Sequence, residues 1–442
     1  MTRRSQTARR TRRSQTARRT RRSQTAKRSQ TAKRSQTTRR TTKRTTRRTK
    51  GGKAIAAGTY GCAFYPALRC KNHKFISPGK STSPDAVSKL MYTDSLYNPN
   101  GTPNDELQEI IKVKKHIDKI PNNQDYFLLH NISTCEPTGL SKEDKDDFDK
   151  KCGLFTEKDI TADNVNEHLK KLRILNMPYG GKTIESIWEE HMADKNEIVK
   201  INNALIKLLE HGIVPLNESN FNHLDVKDDN IVMTSDYKAR LIDWGLASEN
   251  DGITVPKTLT KSWRAFQYNL PVSHILFHIF IKEQTMVTRS MTVTKITKDS
   301  PETLFKYISN IIQIQRRKDE GHYPHIVQDI CKVQHILKQP LDTVDQPTTI
   351  IKYIEAVLSA YEFRKEDDDG HIVFNGDKYF NDVFKYNVDV YGFLMAYREL
   401  LKREDMRVKV SKILFKYCYS AEYAIKRIPI PELVADLRKL NA

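Results

Sequence analysis

An eight-residue polar run, His223-Leu224-Asp225-Val226-Lys227-Asp228-Asp229-Asn230, stands directly before an apolar strand, Ile231-Val232-Met233. A second apolar strand, Ala239-Arg240-Leu241-Ile242, leads straight into Asp243-Trp244-Gly245. A single Asp or Asn in a polar loop is ordinarily solvated. Here a carboxylate at 225 is followed by a lysine two residues on, an amide five on and a further carboxylate eighteen on. Two buried strands would hold these groups in register at their ends, which is how a fold builds a site.

The formal net charge of +21 does not describe the whole chain. Residues 1–50 hold 21 Lys and Arg and no Asp or Glu, so 75 basic residues less 21 leaves 54, against 54 acidic ones. The remainder of the 442 residues is formally neutral and long enough for a substantial core. The basic stretch is a decaying repeat of Thr-Arg-Arg-Ser-Gln-Thr-Ala-Arg-Arg with no large apolar residue after Met1, so disorder is expected. Such a polycation suits nucleic acid, an anionic membrane surface or an acidic protein, and it equally suits a solvated expansion with no specific partner.

The six cysteines form no CxxC pair, and Cys70 with His73 lacks a second pair at ligand spacing, so structural thiols are expected. The most apolar stretch, Leu270 to Ile281, is too short to span a bilayer and no apolar leader segment opens the chain. A soluble, reducing, intracellular setting without a transmembrane segment follows as the expectation.

Past Gly51-Gly52, the run Ile55-Ala56-Ala57-Gly58-Thr59-Tyr60-Gly61-Cys62-Ala63-Phe64 reads as strand, tight turn, strand, and Ala86 to Met91 as another strand carrying Lys89. Between these lies a polar loop with Pro78, Gly79 and Pro84. Glu106 to Ile120 has helical apolar spacing and stops at Pro121. Tyr126–Leu129 and Lys171–Leu175 read as strands, Lys142–Lys151 as a solvated charged loop, and Glu197–Leu209 as a helix.

Taken together, His223 to Asn230, Asp243-Trp244-Gly245, the Gly58/Gly61 turn and Lys89 resemble the motifs of eukaryotic-type serine/threonine protein kinases. That resemblance implies an α+β, bilobal fold: a small antiparallel-sheet lobe with one helix over 51–180, and a larger, mainly helical lobe over 181–442. A large insertion occupies about 254–386, and the basic tail precedes both lobes. It further implies ATP with Mg2+ or Mn2+, and transfer of phosphate to Ser/Thr hydroxyls on a protein substrate. Asp225 would accept the hydroxyl proton, Lys227 would neutralise the moving phosphate, and Asn230 and Asp243 would bind the metal. Ala56, Ala57, Gly58, Thr59, Tyr60, Gly61, Cys62 and Ala63 would cover the phosphates, with Ala56 in place of the first glycine.

Lys89 would hold the phosphates with Glu109 as its partner and Glu106 as the competing choice. Asn176-Met177-Pro178-Tyr179-Gly180-Gly181 resembles the interlobe hinge, with Met177 at the back of the adenine pocket and Tyr179 beside it. Asp389 would accept backbone hydrogen bonds from the catalytic loop, and Arg427 would take the place of a structural arginine. Leu224 replaces the arginine beside the catalytic aspartate, so a phosphorylated activation segment has no such arginine to dock against.

The opening Gly58–Leu68 segment, Phe266-Gln267-Tyr268-Asn269-Leu270-Pro271 and the insertion resemble the divergent kinases of giant cytoplasmic DNA viruses, which would place the chain in host cytoplasm or a virion. Three other readings stand beside this one. The missing first glycine and Ala-Pro-Glu motif suit an inactive pseudokinase scaffold. A small-molecule kinase would share the Asp…Asn…Asp array. A nucleic-acid-binding structural protein would act through the tail.

Overall fold

The computed structural model describes residues 52–58, 61–71, 86–96, 105–260, 264–277, 301–364 and 372–442, all within one compact unit, Lys50–Ala442. The basic tail, Gly51, Thr59, Tyr60, His73, the loop with Pro78, Gly79 and Pro84, Trp263 and residues 278–300 lie outside the described residues. So do the side chains of Ala56, Ala57, Glu106 and Glu109.

The architecture is α+β: a small antiparallel sheet and a mostly helical remainder. Strands β1 (Lys53–Gly58), β2 (Gly61–Tyr65), β3 (Ala86–Tyr92), β4 (Ser133–Cys135) and β5 (Leu172–Pro178) form one sheet in the order β1-β2-β3-β5-β4. Gly58 pairs with Gly61 where β1 and β2 meet, so the two strands expected there are antiparallel neighbours. Strand alternation gives this sheet two distinct faces. Cys62, Phe64, Leu90 and Ile174 lie on one of them, in a core with Phe148, Cys152 and Phe155. Met91 and Leu175 lie on the other and pack against Ile110 of the Asp105–Ile117 helix.

Two expectations fail here for a shared reason. Tyr126–Leu129 forms no strand of its own; Phe127 makes a single parallel bridge to Leu241, whose N–H donates to the Tyr126 carbonyl at 2.9 Å, and the strand beside β5 is the more polar Ser133–Cys135. Lys142–Lys151 is not a free loop. It ends in a helical turn, Phe148–Lys151, whose Phe148 is fully buried against Phe64 and Phe155. In each case the partner lies far away in sequence, Leu241 for Tyr126 and Phe64 for Phe148, and burial against that partner decides the local structure.

The cysteines are a third correction. Cys62 is bonded to Cys152 and Cys70 to Cys135, leaving Cys331 and Cys418 as free thiols. Separations of 90 and 65 residues leave no spacing pattern to read. The first bond ties β2 to the segment covering its outer face. This pairing runs against the reducing setting expected from the sequence. Closing loops of this length stabilises a fold by about 2–4 kcal/mol each. In denaturant without reductant, Cys331 and Cys418 alone are expected to be alkylated, and all six cysteines only after reduction. Six alkylations in an unreduced sample, read by mass spectrometry, would refute the pairing.

The helical part surrounds the Lys385–Met395 helix, which is buried on nearly every side. Val214–Glu218 and Phe415–Tyr419 pack directly on it. The Lys195–Leu208 helix, capped by Asp194, and three helices from the long insertion, Pro301–Lys318, Tyr323–Leu337 and Thr348–Ala360, bury their apolar faces in the same core. The insertion therefore contributes to the main core rather than standing apart from it. Among the described residues no helix is long and apolar enough to cross a membrane.

Candidate active site

Strands β7 (Ile231–Met233) and β8 (Ala239–Leu241) pair with Ile231 opposite Leu241, and β6 (Lys182–Thr183) completes their sheet. The ladder continues one step further, with Ile242 donating its N–H to the Asn230 carbonyl at 3.0 Å. Hairpin register therefore brings Asn230 opposite Ile242, one residue before Asp243. Asp243 is exposed at that end with a left-handed φ of 61°.

The loop before Asn230 is held from beneath by the buried helix. Asp389 accepts the N–H of His223 and of Leu224, both at 2.8 Å, and the Asn222 amide at 3.4 Å. Burial pushes the Asp389 carboxyl above its ordinary range, opposed by these hydrogen bonds. Leu224 is fully buried at φ 59°, a backbone state that costs a bulky residue about 1–3 kcal/mol. Its N–H is fixed by Asp389, and its carbonyl accepts Arg264 Nη2 at 3.2 Å, so the strained residue is restrained at both ends. Burial lowers the Arg264 guanidinium, and nearby Asp225 raises it. A guanidinium thus stands at the carbonyl of Leu224, although the sequence has none at that position.

His223 Nε2 donates to the Ile242 carbonyl at 3.0 Å, while its Nδ1 accepts the Asp225 N–H at 3.3 Å. A neutral imidazole protonated on Nε2 satisfies both bonds. Trp244 packs against the His223 ring at 4.6 Å and against Phe127 at 5.6 Å, so the residue after Asp243 seals the hairpin end with apolar surface.

Asp225 stands at the centre. Its Oδ2 accepts Asn230 Nδ2 at 2.9 Å and Lys227 Nζ at 3.2 Å, and its Oδ1 accepts Asn269 Nδ2 at 2.8 Å. Asn230 Nδ2 also donates to the Asp225 carbonyl at 2.8 Å. Both hydrogens of that amide are therefore spent, and its oxygen is the end left to meet a cation. Asp228 accepts the Tyr268 hydroxyl at 2.9 Å, and Arg398 lies 3.8 Å from it and 4.3 Å from the Tyr268 ring. Glu185 is pushed above the usual carboxylate range by burial and by the neighbouring Asp229 and Asp228.

Lys89 is half-buried on β3, opposite Ala63 on one side and Leu175 on the other, so the three share a face. The same face receives Ile110, the residue after Glu109, and the helix carrying Glu109 therefore lies over the strand carrying Lys89. Cys62 points to the opposite face and into a disulfide, away from Lys89. Met177 lies within β5 opposite Val87, and Tyr179 stacks on Tyr65 at 4.1 Å. Gly181 has a φ of +97°, and an added Cβ there would collide with the Met233 carbonyl. Glycine at 181 is what lets the link after β5 lie close against β7.

Sequence reading missed Asn222, Arg264, Tyr268, Asn269 and Arg398. Arg264 and Asn269 carried the only available signal, being polar residues within the mostly apolar and aromatic run from 264 to 271. Arg427, read as standing in place of a structural arginine, donates to the Asp382 carbonyl at 2.8 Å and covers the Tyr386 ring at 3.6 Å.

Among the described residues no three His, Cys, Asp or Glu side chains group to enclose a metal ion. Asp243 and the Asn230 oxygen are hard donors of the kind Mg2+ takes when water and a phosphate-bearing ligand complete its shell. The donor set fits that cation. No protein-family model matches the chain, and no curated protein sequence matches it.

Proposed function

We propose that the chain transfers the terminal phosphate of ATP to Ser or Thr hydroxyls of protein substrates. In this reading the five-stranded sheet with the Asp105–Ile117 helix is the smaller lobe of a kinase-like fold, the helical remainder is the larger, and Tyr179–Gly181 is the hinge. The observation that carries it is the single hydrogen-bonded cluster of Asp225, Lys227 and Asn230, with Asp243 one residue beyond the hairpin bond that anchors Asn230.

Asp225 takes the proton of the acceptor hydroxyl as that oxygen bonds to the γ-phosphorus and the bond to the ADP bridging oxygen breaks. The products are a phosphoester, ADP and a proton that leaves Asp225 for solvent. Lys227 lies 3.2 Å from Asp225, close enough to place its charge beside the phosphate in flight. Asn230, through its amide oxygen, and Asp243, through its carboxylate, would hold magnesium. When bound, magnesium offsets the charge of the triphosphate. Lys89 supplies the cation on the phosphate side, and the Gly58–Gly61 turn allows backbone N–H groups to approach without a Cβ between.

The test is a radiolabel transfer assay with ATP, Mg2+ and Ser/Thr peptide libraries. Wild type is expected to label peptides, and Asp243→Ala to label none above background. An Asp243→Ala variant that matches wild type, or a wild type that labels nothing, ends the proposal.

A further inference from the structure

We infer that Asn269 is the positioning residue that fixes the rotation of the Asp225 carboxylate; this rests on the phosphotransfer reading. The terminal torsion of an aspartate is broad and roughly two-fold, so a carboxylate held at one oxygen can still turn. Asn230 and Lys227 hold only Oδ2. Asn269 Nδ2 holds Oδ1 at 2.8 Å, and its second hydrogen goes to the Val226 carbonyl at 3.2 Å. With both amide hydrogens committed, Asn269 cannot turn, and neither can the carboxylate gripped between the two amides.

The rest of the fold holds Asn269 in that place. The stretch before it is tied to the same loop by Arg264 at the Leu224 carbonyl and by the Tyr268 hydroxyl at Asp228. From the other side, Gln315 donates to the Arg264 carbonyl at 2.9 Å and the His322 N–H to the Phe266 carbonyl at 2.8 Å. An independent feature points the same way. Gly392, on the buried Lys385–Met395 helix, faces this junction, and an added Cβ would collide with the Val226 carbonyl oxygen and lie 3.0 Å from that of Asn269. Glycine there leaves both backbones room to reach the positions from which the amide meets Asp225.

Two variants separate donation from packing. Asn269→Leu keeps the branched shape, at a larger volume, and removes the donor, while Asn269→Ser loses volume and keeps a hydroxyl donor. Measured on peptide phosphorylation, Asn269→Leu is expected to lower kcat by about 10²-fold, the scale set by misaligning a reacting group. Its KM for ATP stays at the wild-type value, because Asn269 acts on the base rather than the nucleotide. Asn269→Ser is expected to retain more kcat than Asn269→Leu. Wild-type kcat in Asn269→Leu, or a smaller loss in Asn269→Leu than in Asn269→Ser, overturns the inference. Failure of both variants to fold, read by thermal melting, assigns Asn269 to stability and overturns it as well. A wild type that transfers no phosphate removes the parent reading and this inference with it, whereas an active wild type with an unaffected Asn269→Leu removes this inference alone.

Discussion

Asp225→Asn is expected to lower peptide phosphorylation by about 10²–10⁴-fold, the usual contribution of a positioned general base, with the protein still folded. Asparagine has nearly the size of aspartate but no basic oxygen pair. In the wild type three donors converge on this carboxylate: Asn230 and Lys227 on one oxygen, Asn269 on the other. An amide at 225 can accept at one end only, and its NH2 must face one of those donors. The conflict is expected to cost about 1–3 kcal/mol of stability, too little to unfold a domain with so large a core. Transfer rates and a thermal melt on the same preparation check both halves. A folded Asp225→Asn enzyme that turns over at the wild-type rate would remove Asp225 from the chemistry.

Asp389→Ala is expected to have the largest effect on stability among these substitutions. The carboxylate is buried on the central helix, where it satisfies the His223 and Leu224 N–H groups and an Asn222 amide hydrogen. Truncation leaves those donors facing a dry cavity, at about 1–3 kcal/mol for each group left unpaired. It also frees one end of Leu224, whose left-handed backbone depends on restraint from both sides. A lowered denaturation midpoint and loss of transfer activity together are the expected outcome. An Asp389→Ala protein with wild-type stability would show that the loop is held by other contacts.

Much of the site was legible because its geometry is local. From Asp225 to Asp243 the chain is one loop and one hairpin, so a polar run beside two apolar strands already implies where its carboxylates must gather. The Asp105–Ile117 helix was equally readable, since Ile110, Val113 and Ile117 repeat at helical spacing before Pro121. Phe148 and Tyr126–Leu129 were misjudged because their partners lie far away in sequence. Phe148 meets Phe64, and the Tyr126 carbonyl meets Leu241. No periodicity within either segment encodes such a partner.

The chain's own pattern was enough to specify a formally neutral folded part behind a basic tail, the glycine turn, and the order of acidic, basic and amide groups along one loop. Those properties follow from side-chain chemistry and short-range register. Tertiary packing alone selected Asn269 and Arg264, from a distant insertion, to hold Asp225 and Leu224. It also paired Cys62 with Cys152 and gave Gly392 its place under the loop. The physical reason is common to all three: which groups meet across long separations depends on how apolar surfaces close on one another, and hydrogen bonds and disulfides form only between atoms that closure brings within reach.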